Sequence, residues 1–225
     1  MLVHVGFLCC MSGKAGAACR AGPLCTAPAD QFCVQPLRVQ RGWSSAADIG
    51  SIISVAGLLR RTFNADANKL SGLAIEAEHV QGLVERCTEN ILLVARSDDT
   101  LVGFAEVFTP DFLSKKGGVY PERVRKALKP YVASLAVDQR WQSRGAGRAL
   151  MLAAESSALK AGYSCITLEV EATNTAALAL YNSLGGYEQV GCDENGRRLV
   201  GDVFFGRSRR VCKLTLEKRL YSERY

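Results

Sequence analysis

The stretch that decides the fold runs from Val137 to Leu150 and reads VDQRWQSRGAGRAL. The apolar segment YVASLAV ends at Val137 and is typical of a buried strand. A short polar turn follows, and its glycines, Gly145 and Gly147, open a helix predicted for about 145–161, with Gly162 placed to end it. This order sets the first amide groups of a helix beside the end of a strand.

Such a helix start predicts a phosphate ligand. The first N–H groups of a helix have no acceptor within the helix, and the helix dipole adds partial positive charge there. Gly145 and Gly147 lack a Cβ and let a pyrophosphate approach the backbone, while Arg144 and Arg148 add charge-assisted contacts. A Gly-x-Gly is equally typical of a flexible turn. A Rossmann site would need a third glycine where Leu150 stands, and the Gly-Lys-Ser/Thr of a P-loop is absent.

The segments on either side alternate between strand and helix patterns. Strands alternating with helices, entered and left by β-hairpins, indicate an α/β or α+β sandwich around a mixed sheet. A long surface loop, with one helical turn around 121–128, is expected at 109–130. The patterns predict strands at 37–41, 91–96, 100–108, 131–137, 164–172, 203–205 and 210–218, and helices at 46–63, 74–89, 145–161 and 175–184.

The composition is that of an ordinary globular domain. The 225 residues are 48% hydrophobic and 22% charged, and no uninterrupted apolar run is long enough to cross a membrane. The net charge of +6 suits a small anionic ligand as well as nucleic acid, but no dense basic run supports nucleic-acid binding. We therefore expect neither a membrane nor a nucleic-acid partner.

The cysteines favour free thiols over a metal site. There are nine, an odd number, without a CxxC pair, and the only histidines are His4 and His79. A zinc site needs several ligands at short spacing. We expect unpaired thiols in a reducing compartment and no bound metal.

The first 29 residues contain no Asp or Glu but carry Lys14 and Arg20, as a transit peptide does. Ser12 is the only serine in this stretch, whereas transit peptides are usually rich in serine. A disordered tail is therefore the alternative. We expect a leader at 1–35 and one domain at 36–225. The expected location is the chloroplast, with mitochondrion or cytoplasm as alternatives.

Two sequence blocks resemble a known family. Gln142, Gly145 and Gly147 fit the pattern Gln/Arg-x-x-Gly-x-Gly/Ala, which is similar to the acyl-CoA motif of the GNAT superfamily of N-acetyltransferases. The second block, LEVEATN at 168–174 and AALALYNSLG at 176–185, resembles the RimI-like branch, which acetylates protein N-termini. The resemblance covers about 131–191. The chain is similar in particular to RimI-like and plastid-type protein acetyltransferases. It implies a mixed, mostly antiparallel central sheet with a splayed parallel pair, flanked by helices.

The resemblance also implies acetyl-CoA as co-substrate, without a metal. The backbone from Leu135 to Val137 would pair with the pantetheine arm, 143–148 would take the pyrophosphate, and Asn174 would reach the cofactor from the next helix. The implied cofactor-binding residues are Leu135, Ala136, Val137, Gln142, Ser143, Arg144, Gly145, Ala146, Gly147, Arg148, Ala149, Asn174, Ala177 and Tyr181.

One strand supplies the candidate general base. Within 164–172, apolar residues alternate with Thr167, Glu169 and Glu171, so both carboxylates lie on the face opposite the apolar one. That face either lines a cleft or is solvated without a role. The resemblance places Glu169, rather than Glu171 or Glu106, where the family has its base.

Tyr181 is the candidate general acid. It shares the helical stripe Ala177, Leu180, Tyr181, Leu184, which is also typical of core packing. The resemblance puts this phenol where the family has the acid that protonates the departing thiolate. The family's Gly-Phe after this helix is Gly185-Gly186-Tyr187 here.

The sequence thus predicts acetyl transfer to an amine of a protein, either an N-terminal α-amine or a lysine ε-amine. One alternative is an acetyltransferase for a small-molecule amine. Another is a CoA-binding module without turnover, against which the presence of both Glu169 and Tyr181 argues. The segments expected to face the acceptor are 64–90, 109–130 and 191–202.

Overall fold

The computed structural model describes most of the chain. The described residues are 32–37, 46–64, 69–87, 89–110, 129–200 and 207–221. Residues 1–31 of the expected leader at 1–35, the helical turn at 121–128 and the strand at 203–205 therefore lie outside the described residues.

A mixed sheet of seven strands forms the centre of the molecule. Its order is β1-β2-β3-β4-β5-β7-β6, and among these described strands only β4 and β5 run parallel. This is the predicted mixed, mostly antiparallel sheet with one parallel pair. The strands are β1 (Cys33–Pro36), β2 (Ile91–Ser97), β3 (Thr100–Phe108), β4 (Tyr131–Val137), β5 (Cys165–Glu171), β6 (Tyr187–Val200) and β7 (Arg207–Arg219).

Helices cover both faces of the sheet. In the described part of the chain they are α1 (Ala46–Phe63), α2 (Lys69–Arg86), α3 (Ala146–Lys160) and α4 (Thr175–Leu184), and a 3₁₀ turn (Gln139–Trp141) links β4 to α3. None of the described helices is both long and apolar enough to cross a membrane.

Each face has its own core. Apolar side chains of α1 and α2 pack against Leu92, Val94 and Phe104 on one face. On the other face, α3 and α4 pack against Ile166, Leu168 and Val170 of β5. Each such buried aliphatic or aromatic side chain stabilises the fold by about 1.5–3 kcal/mol. Because β5 lies inside the sheet, its position is fixed by a neighbouring strand on each edge.

The first strand begins earlier than the sequence predicted. The structure has β1 at Cys33–Pro36 instead of 37–41, with Cys33 opposite Arg96 and Pro36 opposite Leu93. Proline has no N–H to continue a ladder, which suits it to the end of a strand. Residues 33–35, which were predicted to lie in the leader, pair with β2 in the sheet, and the boundary between leader and domain stays a prediction.

The segment 191–202 is another correction. It was expected to be an acceptor-facing loop, but β6 runs from Tyr187 to Val200. Two register shifts, at Gln189/Gly191 and at Asp193/Gly196, interrupt the two-residue alternation by which a strand is recognised. Much of 64–90 is helix α2, and the expectation that this segment and 191–202 face the acceptor stays a prediction.

Candidate active site

A gap opens between the parallel strands β4 and β5. In the described chain they pair only at Tyr131 with Thr167 and at Val132 with Leu168. Beyond this point β4 continues beside β3, and β5 continues beside β7. The edge of β4 that faces the gap includes the predicted residues Leu135, Ala136 and Val137. We call this opening the β4–β5 gap; its β4 edge offers backbone groups to an extended ligand.

A bulge in β4 lies next to the gap. Glu106 is opposite Ser134, whereas Val107 is opposite Val132, so Ala133 is the extra residue. After the bulge, Leu135 and Val137 pack in the core beneath α3, while Ala136 packs in the core beneath α1. The bulge therefore fixes which face each of the three predicted residues presents.

The turn after β4 is held by side chains. The carboxylate of Asp138 accepts hydrogen bonds from the backbone N–H of Arg140 at 3.0 Å and from the same residue's guanidinium. The Arg140 guanidinium holds the pKa of Asp138 below its usual value. Nε2 of Gln142 donates to the carbonyl oxygen of Val137 at 3.3 Å. The predicted residue Gln142 thus ties the turn back to the end of β4.

Helix α3 begins without a side-chain cap. Its N-cap is Gly145, in the left-handed region at a φ of 96°, and this residue makes no side-chain hydrogen bond to the first amides. The hydrogen bond from the N–H of Ala149 to the carbonyl of Gly145, at 2.9 Å, is the one that closes the first turn. The amides of Ala146, Gly147 and Arg148 precede it and have no acceptor within the helix. They form a concentrated set of donors with the positive end of the helix dipole behind them.

The residues around this helix start have different roles. Ser143 is exposed and has a φ of 59°, which is uncommon for a residue with a Cβ and is often found in binding loops. The guanidinium of Arg144 is exposed and stacks over the Trp141 ring, 5.3 Å from its centroid. Ala146 is buried beneath the helix and Ala149 is half-buried. Of the predicted phosphate ligands, Ser143, Arg144 and Arg148 are thus the ones with exposed side chains.

Gly147 and Arg148 also join α3 to α4. A Cβ at Gly147 would lie 3.3 Å from Cδ2 of Leu180, so glycine allows the two helices their close approach. Nη1 of Arg148 donates to the carbonyl oxygen of Ser183 at 3.0 Å. In this conformation Arg148 connects the two helices through that nitrogen.

Asn174 lies across the gap from the start of α3, at the end of β5. Its Oδ1 accepts the N–H of Ala177 at 3.1 Å, so Asn174 caps helix α4. Ala177 is fully buried in the core. In the structure, Asn174 therefore caps the first turn of α4, and Ala177 packs that turn against the core.

Tyr181 is buried in the core shared by α3, α4 and β5, with 1% of its surface exposed. Its ring centroid is 5.5 Å from that of Tyr187. The core-packing interpretation of the tyrosine stripe is thus confirmed for the ring. Its role as general acid stays a prediction.

A buried network that sequence reasoning missed supports the Tyr181 ring. The hydroxyl of Tyr187 donates to Glu155 at 3.0 Å, and the ammonium of Lys218 donates to the other oxygen of that carboxylate at 2.7 Å. Burial, together with the carboxylate of Glu155, raises the pKa of Tyr187 well above its usual value, so its phenol stays protonated. The one feature of the sequence that pointed to this network is Gly185-Gly186-Tyr187, which stands where the family has Gly-Phe. Both glycines have positive φ, 68° and 73°, and turn the chain into β6.

The face of β5 that carries the carboxylates is not solvated. Glu169 and Glu171 are 8% and 7% exposed, and Thr167 on the same face is 6% exposed. The interpretation of a solvated strand face is therefore wrong, because β5 is an inner strand with side chains packed over both faces. Glu169 lies on the strand that forms one side of the β4–β5 gap, opposite Thr215 of β7.

Glu106 is held in a buried ion pair. Nε of Arg86 donates to its Oε1 at 2.7 Å, and Nη2 donates to Oε2 at 3.3 Å. The two side chains are 12% and 1% exposed. Because both oxygens of Glu106 accept from a permanent cation, this carboxylate is poorly suited to take a proton from an amine. The geometry therefore agrees with the preference for Glu169.

Residues 50–186 of the chain match the acetyltransferase (GNAT) family. This match covers more than half of the chain. The chain belongs to the GNAT family. This family is one of acetyltransferases.

Curated relatives match a shorter segment of this GNAT chain. The [Ribosomal protein bS18]-alanine N-acetyltransferase of Escherichia coli (strain K12) is 46% identical over 52 residues, which are 23% of this chain and 35% of the relative. The matched segment thus spans about a third of the length of that relative.

Solved structures show the same fold over nearly the whole domain. A ribosomal-protein-alanine N-acetyltransferase from Brucella melitensis superimposes with a TM-score of 0.56 at 21% identity, covering 84% of this chain and 99% of that one. A putative acetyltransferase from Salmonella typhimurium, solved with its cofactor acetyl-CoA, gives 0.54 at 15% identity, covering 87% and 98%. At these identities the likeness establishes the GNAT fold alone.

The residues present fit acetyl-CoA. The uncapped start of α3 offers amide donors at the positive end of a helix, which suits a pyrophosphate. The β4 edge of the gap offers the backbone groups that an extended pantetheine arm requires. Both features lie at the carboxyl end of β4, so one elongated ligand can contact both.

The described residues contain no group of three or more His, Cys, Asp and Glu side chains placed to hold a metal ion. Five cysteines are described, all with free thiols: Cys33, Cys87, Cys165, Cys192 and Cys212. The sulfurs of Cys192 and Cys212 lie 3.2 Å apart across β6 and β7.

Proposed function

We propose that this GNAT enzyme acetylates an amine of a protein acceptor, an N-terminal α-amine or a lysine ε-amine. The observation that carries the proposal is the similarity to a ribosomal protein alanine N-acetyltransferase, 46% identical over 52 residues. The buried Glu169 beside the β4–β5 gap is consistent with it, since a carboxylate there can receive the proton of an attacking amine.

Binding begins at the start of α3 in this proposal. The amides of Ala146, Gly147 and Arg148 donate to the pyrophosphate, and the exposed Arg144 adds positive charge. The β4 edge at 135–137 pairs with the pantetheine arm, and this directs the thioester into the gap between the strands. The capping of α4 by Asn174 keeps the opposite wall of the gap in place.

Two side chains then accept and donate the protons of the reaction. Glu169 accepts a proton from the amine, directly or through a water molecule, and the amine nitrogen forms a bond to the acetyl carbon. As the carbon–sulfur bond breaks, the Tyr181 hydroxyl donates its proton to the leaving thiolate and is reprotonated from solvent. The products are the N-acetylated acceptor and free CoA.

The test is an acetylation assay with isotopically labelled acetyl-CoA and a library of peptides that differ in their first residues and in internal lysines. Mass spectrometry assigns each label to an α-amine or an ε-amine. We expect labelled peptides with the wild type and very few with Tyr181→Phe. Labelling of polyamines, amino acids or aminoglycosides, but of no peptide, would instead establish a small-molecule acceptor.

We also propose that the residues before β1 direct the chain to the chloroplast. The proposal rests on the absence of Asp and Glu from the first 29 residues. A fusion of residues 1–31 to a fluorescent protein should enter plastids of a plant or algal cell. Mitochondrial or cytoplasmic fluorescence would contradict this location.

A further inference from the structure

The hairpin of β6 and β7 extends beyond the rest of the sheet. The last register pair of β5 with β7 joins Glu171 to Lys213. Residues 207–211 of β7, by contrast, pair with 196–200 of β6. We call these two paired segments the arginine ribbon. It projects past the carboxyl end of β5, which is also the end at which the β4–β5 gap opens.

The ribbon carries like charges opposite each other. Its two segments, GRRLV and RSRRV, contain five arginines and no acidic residue. Arg197 is opposite Arg210, and Arg198 is opposite Arg209. Like charges directly opposite each other destabilise a strand pair, and an isolated two-stranded ribbon is only marginally stable. An anionic partner beside the exposed Arg209 would offset the repulsion at that position.

The ribbon is aligned with the candidate active site. Alternate residues of a strand share a face, so Arg209 and Lys213 lie on the same face of β7 as Thr215. Thr215 is opposite Glu169, and Lys213 is opposite Glu171. Arg209 is exposed and Lys213 is half-buried. A basic row therefore leads outward along the strand from the carboxylates beside the gap.

The spacing suits an extended polypeptide. From Thr215 to Arg209 the strand advances about 20 Å, at about 3.4 Å per residue. An extended peptide covers that distance in about six residues. A peptide with its amine at Glu169 would therefore bring side chains about six positions away to the ribbon.

We propose that the arginine ribbon binds acidic side chains of the acceptor polypeptide, about six residues from the amine that is acetylated. This inference rests on the proposed function, because it requires a polypeptide acceptor. Carboxylates are suitable partners because the guanidinium group binds them through two parallel hydrogen bonds. Alignment with Glu169 favours an acidic peptide over a nucleic acid, since a nucleic acid would need no register with the gap.

The test compares three peptides with the same first three residues and with acidic, neutral or basic side chains at positions 4 to 8. The kcat/KM of each is measured with the wild type, Arg209→Gln and the double variant Arg198→Gln/Arg209→Gln. We expect the wild type to prefer the acidic peptide over the neutral one by about tenfold, a difference of about 1.4 kcal/mol. The double variant should lose most of this preference, mainly through KM.

The matched control is Lys160→Gln, which removes an exposed cation in the last turn of α3. It should keep the preference, and every variant should keep the wild-type affinity for acetyl-CoA. Equal rates for acidic and neutral peptides would overturn the inference while leaving the proposed function intact. Competition by an RNA oligonucleotide, with no preference for the acidic peptide, would likewise overturn it and assign the ribbon to nucleic acid.

Acetylation of none of the peptides would count against the proposed function instead. The binding of a fluorescent acidic peptide, measured by anisotropy, then tests independently of catalysis whether the arginine ribbon binds acidic polypeptides. Binding that the double variant weakens and Lys160→Gln does not supports an acidic polypeptide as the partner. Absence of binding to the wild type contradicts it.

Discussion

At the scale of single residues, two neighbouring tyrosines have separable tasks. Tyr181 is the candidate acid, whereas Tyr187 donates to Glu155 in the buried network beside it. Tyr181→Phe should lower kcat by about 10²–10⁴, the usual contribution of a positioned acid. The Kd for acetyl-CoA, measured by calorimetry, should change little.

Tyr187→Phe is the comparison for that prediction. It leaves the buried Glu155 with one hydrogen-bond donor fewer, at a cost of about 1–3 kcal/mol of stability. We expect a lower Tm and a smaller loss of kcat than in Tyr181→Phe. Full activity of the Tyr181 variant would remove the acid assignment.

Two buried glutamates should respond differently to neutralisation. Glu169→Gln should lower kcat and remove the acid limb of the pH–rate profile, because an amide cannot accept the proton. Glu106→Gln should act mainly on stability, because it leaves the Arg86 guanidinium buried beside a neutral partner, at about 3–5 kcal/mol. Chemical denaturation and pH–rate profiles separate the two effects. An unchanged acid limb in Glu169→Gln would assign the base elsewhere.

His79 should make stability depend on pH. Burial, and secondarily the charge of Arg86, lowers the pKa of its imidazole from 6.5 to about 4. Between these two values the unfolded chain binds a proton that the folded chain does not, so stability falls as the pH falls from 6.5 towards 4. The loss is up to about 3 kcal/mol.

Urea denaturation at several pH values checks this. The His79→Gln variant should lose less stability than the wild type over the same interval. Equal losses in the two proteins would show that other groups cause the pH dependence.

At the scale of elements, the start of α3 depends on Gly145. A Cβ at its φ of 96° costs about 1–2 kcal/mol, so alanine there would shift the first turn or strain it. We expect Gly145→Ala to weaken acetyl-CoA binding at least about tenfold, which corresponds to about 1.4 kcal/mol. Gly162→Ala is a matched control, with a similar φ of 90° at the other end of the same helix. An equal loss of affinity in both variants would contradict a specific role for Gly145.

Elements with a regular pattern could be predicted from the sequence. Helix 46–63, the hairpin of β2 and β3 and the strand 131–137 lie within a residue or two of their expected bounds, because apolar residues recur at the period of the element. Strand β6 could not be predicted, because two bulges shift its side chains between faces. Strand β5, at Cys165–Glu171, lies within a residue of its expected bounds, but the burial of its polar face could not be predicted because it arises only once the sheet is assembled.

At the scale of the whole molecule, the candidate site depends on contacts between distant parts of the chain. The start of α3, the edge of β4 and the cap of α4 come together because β4 and β5 separate after two paired positions. The motif at the start of α3 and the family resemblance indicated all three features, but not the contacts that bring them together. Contacts such as Arg86 with Glu106, or Lys218 with Glu155, join elements that no local pattern relates.

The whole account depends on the start of α3 as the binding site for the diphosphate. The most direct measurement is a crystal structure of the chain with acetyl-CoA. The account predicts pyrophosphate oxygens within hydrogen-bond distance of the backbone nitrogens of Ala146, Gly147 and Arg148, with the pantetheine arm along 135–137. A pyrophosphate bound away from this helix start would contradict it.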